Sequence, residues 1–159
     1  MSGRAVLAQA RLETRLLVRS SESLLITLGI PLGVLVFFSL VPVLPTGDTD
    51  AVTFLVPGVL ALSATATGLV ASAIQTAYER KSGALKLLGA TPLGRPGFVA
   101  AKLASVLAVL IVQTGLVLGL ALGLLGWRPQ GGLLGIALTV PAVLLIGLVM
   151  ASLGLVLAG

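Results

Sequence analysis

Four long apolar runs separated by short polar breaks set the pattern of this chain: about Leu24–Leu44, Val52–Ala77, Phe98–Leu125 and Leu133–Ala158. Each meets the ~20 residues that a helix needs to cross the hydrocarbon core of a bilayer. A mixed, basic segment over Ser2–Ser23 precedes them. Its Arg4, Arg11, Arg15 and Arg19 fall within about 80° of one another at ~100° per residue, while Val6, Ala10, Leu16 and Leu17 lie elsewhere on the circumference. That pattern predicts an amphipathic helix in the headgroup boundary; the plainer alternative is a set of positive anchors for the first span. The predicted fold class is an all-α polytopic transmembrane helix bundle. An interfacial helix over 1–23 leads into a transmembrane domain over 24–159, with spans at about 24–44, 52–77, 98–125 and 133–158 and a loop over 78–97.

Prolines interrupt three of the runs, at Pro31, Pro57 and Pro141. Such breaks are tolerated in a membrane when neighbouring helices satisfy the freed carbonyl. Composition agrees with the spans: hydrophobic residues make up 57% of the chain and charged residues 9%, which excludes a water-soluble globule. The first run is too long for a signal-peptide core and has no small-residue cleavage site after it, so it is read as a retained span.

Charge adds orientation. Arg4, Arg11, Arg15, Arg19, Arg80, Lys81, Lys86, Arg95 and Lys102 fall on one side of the predicted topology and only Arg128 on the other. Such a bias predicts a cytoplasmic N-terminus and a cytoplasmic 78–97 loop; the expected location is the plasma (inner) membrane. The net charge of +5 is then explained by contact with anionic membrane lipids rather than nucleic acid. Lys102, in the first turn of the third span, is expected to snorkel to the interface. Trp127 suits the headgroup belt.

Within the spans, small and weakly polar residues recur at helical spacing. The second span has Gly58, Ala61, Thr65, Gly68, Ser72 and Thr76, predicted to share one face. The third has Gly115, Gly119 and Gly123, and the fourth Gly147, Ala151 and Gly154. Close helix packing is the favoured reading. The alternative is that part of the second-span stripe (Thr65, Gly68, Ser72, Thr76), with Gln75 and Gln113, lines a substrate path. No ionisable residue is placed deep in a span, so a proton- or ion-coupled relay lacks its usual parts.

Candidate catalytic chemistry is missing. With no Cys and no His, thiol chemistry and the usual zinc ligands are excluded. No paired carboxylates, nucleophile–base pair or phosphate-cradling GxxxxGK motif occurs, so the chain is not expected to be an enzyme or to bind a cofactor itself.

The loop is the one long charged interruption. Glu79-Arg80-Lys81-Ser82-Gly83 opens it, Ala84–Gly89 fits a short helix with Leu85 and Leu88 on one face and Lys86 offset, and Thr91-Pro92 ends that helix. Gly94-Arg95-Pro96-Gly97 reads as a second turn. The pattern fits a helix docked on a soluble partner and an interfacial connector equally well.

The order Glu79-Arg80, Gly83-Ala84-Leu85-Lys86 and Leu88-Gly89-Ala90-Thr91-Pro92-Leu93 resembles the cytoplasmic loop of type-2 ATP-binding-cassette (ABC) exporter permeases. The likeness extends to the basic segment LAQARLETRLLVR, to Val56-Pro57-Gly58 and to Gly126-Trp127-Arg128-Pro129, and so runs through the whole chain in order. It implies a membrane subunit of a six-span fold, pairing as a homodimer or as a heterodimer with a related permease. ATP and Mg would be bound by a separate ATPase subunit, on which the loop sits as a coupling helix through Glu79, Arg80, Gly83, Leu85, Lys86 and Leu88. Spans five and six of that fold have no counterpart here, so the 159 residues are expected to be the first part of a longer protein. The rival reading is a non-transporting membrane anchor or scaffold that recruits a soluble partner through the same loop.

Overall fold

A computed structural model describes residues 25–41, 50–83 and 94–158. The predicted interfacial helix, and Leu85, Lys86 and Leu88 of the loop, lie outside the described residues. The elements are a π-helical segment Leu25–Gly29, helix α1 (Ile30–Leu40), α2 (Ala51–Thr65), a second π-helical segment Ala66–Ala71, α3 (Ser72–Lys81), α4 (Gly94–Gly123) and α5 (Gly132–Ala158). The described chain is an all-α membrane bundle. Three helical runs are long and apolar enough to cross a membrane, Ala51–Lys81, Pro96–Gly123 and Gly132–Ala158, and the described part of the first span adds a shorter apolar helix, Thr27–Leu40.

Two boundaries move relative to the sequence reading. The second span continues through Tyr78–Lys81 and stops only at Gly83, whose φ of +75° is the left-handed turn that glycine adopts without a Cβ clash. Arg80 and Lys81 in the last turn suit the negative end of the helix dipole. Gly94-Arg95-Pro96-Gly97 is not a separate turn but the first turn of α4. A proline is tolerated there, because its missing N–H would have no intrahelical partner.

The apolar core lies where α1, α2 and α4 meet. Leu35 of α1, Val56 and Leu60 of α2, and Leu110 and Val117 of α4 are almost fully buried. The fourth span, α5, buries a narrow stripe of Val143, Gly147, Ala151 and Gly154, and packs Ile136, Val140 and Leu144 against the core beside it. The crossing of the second and fourth spans is backbone on backbone. A Cβ on Gly68 would lie 2.5 Å from the Gly147 carbonyl oxygen, and one on Gly154 would lie 2.6 Å from that of Leu69. Small residues permit that approach in lipid, where packing rather than water exclusion draws helices together.

The predicted single face of the second span is split. Thr76, Ser72 and Gly68 are buried, but Gly58 and Ala61 are exposed and Thr65 is half-buried. Their spacing would hold them on one side of an unbroken α-helix. The π-helical segment between Thr65 and Ser72 takes in an extra residue, which turns one half of the span by about 100° against the other. The third-span glycines also differ from the packing reading: a Cβ on Gly115, Gly119 or Gly123 would meet open space.

Candidate functional site

Two polar clusters stand out in the apolar bundle. The first is at the loop end. Lys102, eight residues into α4, is 1% exposed, and its Nζ donates to Glu79 Oε1 at 2.5 Å. The same ammonium lies 5.5 Å from the centroid of the Phe98 ring, within cation–π range. The lysine stem is covered by the bundle, and its ammonium takes its counter-charge from a carboxylate on the neighbouring span.

Glu79 is 21% exposed, and its Oε2 is buried with no partner among the described residues. Arg80 is exposed, and its Nη1 donates to the Ala158 carbonyl at 3.5 Å, which brings the loop end of the second span to the last turn of the fourth. Gly83 follows as the turn residue, with its N–H on the Arg80 carbonyl at 3.2 Å. Glu79, Arg80 and Gly83 thus stand together at one foot of the loop, and Lys102 stands at the other.

The second cluster is in the middle of the bundle. Gln113 of α4 is 1% exposed. Its Nε2 donates to the Thr27 carbonyl at 2.7 Å, and its Oε1 accepts from Thr67 Oγ1 at 3.0 Å. Two of the remaining in-span candidates bond locally. Thr65 Oγ1 donates to the Ala61 carbonyl at 2.9 Å and Thr76 Oγ1 to the Ser72 carbonyl at 2.7 Å, the back-bonding to i−4 by which a helix satisfies its own hydroxyls. Gly68 and Ser72 face the fourth span, and Gln75 is half-buried. The structure therefore joins Gln113 to Thr67 and sets Gly68 and Ser72 at the crossing with the fourth span.

Two members of these clusters escaped sequence reasoning. Thr67 lies one residue off the small-residue stripe, so the periodicity passed over it. The pairing of Lys102 with Glu79 had a weak signal: opposite charges, one on each side of the same loop, each within a few residues of an apolar run. Among the described residues no group of His, Cys, Asp or Glu could hold a metal ion, and neither cluster pairs a nucleophile with a base. One cluster joins the second span to the third near the loop, and the other joins the first three spans.

No curated protein sequence and no solved structure matches this chain. Residues 4–159 match the family model for the ABC-2 type transporter, which covers the basic N-terminal segment, all four apolar runs and the loop between the second and third. The chain belongs to the ABC-2 type transporter family, as a membrane permease subunit.

Proposed function

We propose that this permease subunit belongs to an exporter and couples through the 78–97 loop to a separate ABC ATPase. The observation that carries the reading is the Glu79–Lys102 pair across the two feet of the loop. A push on the loop by a soluble partner reaches the second and third spans together, because a buried ion pair resists being pulled apart. ATP and Mg are bound by the ATPase, and this chain supplies the contact through Glu79, Arg80, Gly83, Leu85, Lys86 and Leu88. The loop and the N-terminus face the cytoplasm, in accord with the lysine and arginine bias, and the subunit works in the plasma (inner) membrane as a homodimer or beside a related permease. Substrate passes along the interface between the two permeases.

The test is a pull-down of the tagged protein from membranes in mild detergent, with bound subunits identified by photolabelling with an azido-ATP. An ATP-binding subunit is expected with the native chain. It should be lost from the Leu85→Asp/Leu88→Asp variant, with membrane insertion unchanged. Equal recovery with both chains would remove the loop from the coupling role.

A further inference from the structure

Pro31 leaves a gap one turn back. In an α-helix the Thr27 carbonyl would accept from the amide of residue 31, and proline has no N–H. The chain winds as a π-helix over Leu25–Gly29 at this point, and the Thr27 carbonyl receives the Gln113 side-chain amide at 2.7 Å. A carbonyl can only accept, so the amide nitrogen must face it. The amide oxygen is thereby turned to the Thr67 hydroxyl, which donates at 3.0 Å. Thr67 lies in the second π-helical segment, Ala66–Ala71. One buried side chain of the third span therefore touches both π-helical segments of the described chain.

We infer that Gln113 is a positioning residue, a two-pronged latch that fixes the register of the first and second spans against the third. A π-turn relaxes to α by expelling one residue, which rotates everything beyond it by about 100°. In the second span that rotation would swing Ser72, Thr76 and Glu79 away from the positions described above. While Gln113 is engaged, relaxation of either segment leaves a buried polar group without its partner, which is costly in a low-dielectric interior. The two segments are thus held or released through one group. The latch stands on geometry alone and does not depend on the coupling reading.

Amide hydrogen exchange of the full chain in detergent tests it, followed in peptides covering 27–33 and 66–71. Gln113→Leu should speed exchange in both by about tenfold. Thr67→Val should speed it in 66–71 alone, with Thr67→Ser restoring the native rate. The decisive chain is Pro31→Ala/Gln113→Leu: the restored residue-31 amide can serve the Thr27 carbonyl, so protection returns over 27–33 while 66–71 stays fast. A side chain that merely fills space would show no such selective rescue. Equal exchange over 27–33 in Gln113→Leu with and without Pro31→Ala would overturn the latch. If Gln113→Leu fails to fold, Thr67→Val against Thr67→Ser decides, and equal rates over 66–71 in those two chains would overturn it too.

Discussion

Lys102 of the third span lies within hydrogen-bond reach of Glu79 of the second. The pair stands at the ends of two apolar helices, with the lysine almost fully covered. Removing one partner strands the other. Lys102→Met should therefore lower stability by about 2 kcal/mol, less than the roughly 3–5 kcal/mol of a fully buried broken pair because Glu79 is partly solvated. Adding Glu79→Gln to Lys102→Met should recover part of the loss. Thermal unfolding of the three chains in one detergent checks both statements, and a double variant less stable than Lys102→Met would contradict the pairing.

Glycines that look alike in sequence should separate sharply. A Cβ on Gly68 meets the fourth-span backbone, whereas one on Gly119 meets open space. Gly68→Ala should cost about 1–3 kcal/mol through overpacking. Gly119→Ala should be neutral or raise stability by up to about 1 kcal/mol, since alanine favours the helix. Melting temperatures of the two variants measure the contrast.

Ser72 gives a test of packing against path. Its Oγ is buried with no partner among the described residues, so Ser72→Ala removes a group unsatisfied among them. Stability should hold or rise by up to about 1 kcal/mol. A clear loss would show that the hydroxyl has a partner, which a substrate path or a water would supply.

Because the chain has no cysteine, single cysteines report sidedness without background. Ser82→Cys should react with an impermeant thiol reagent only from inverted vesicles. Gln130→Cys, in the turn between the third and fourth spans, should react only from intact cells. Reaction of both from the same side would overturn the proposed topology.

The spans were legible because a bilayer imposes a length and a composition on whatever crosses it. Pro31 also announced itself: a proline within a span demands an outside donor, and Gln113 is that donor. Gly147, Ala151 and Gly154 likewise lie on the buried stripe that their spacing predicts. Other features were hidden, because periodicity assigns residues to a face without naming what the face meets. Gly115 and Gly119 repeat as regularly as Gly147 and Ala151, yet only the latter pair is covered by another span. The split stripe of the second span was illegible for another reason. A π-turn changes the period itself, and its occurrence depends on a partner eighty-six residues from Thr27 and forty-six from Thr67 along the chain. The partner of Lys102 was only faintly legible, since opposite charges on either side of a loop do not say that the two helices bring them together.

The fourth span, Gly132–Ala158, has 27 residues and no charged side chain. As a straight α-helix it is about 40 Å long, against a hydrocarbon core of ~30 Å. A helix longer than the film around it must lean or thicken that film, and this one crosses the second span at its closest along a narrow glycine–alanine seam. Membrane thickness thus acts on the bundle as a mechanical load: a thinner bilayer presses the fourth span to tilt about Gly147 and Gly154, where it crosses the second. Lipid chain length is then a load on the bundle, with the glycine seam as the pivot about which the fourth span would lean.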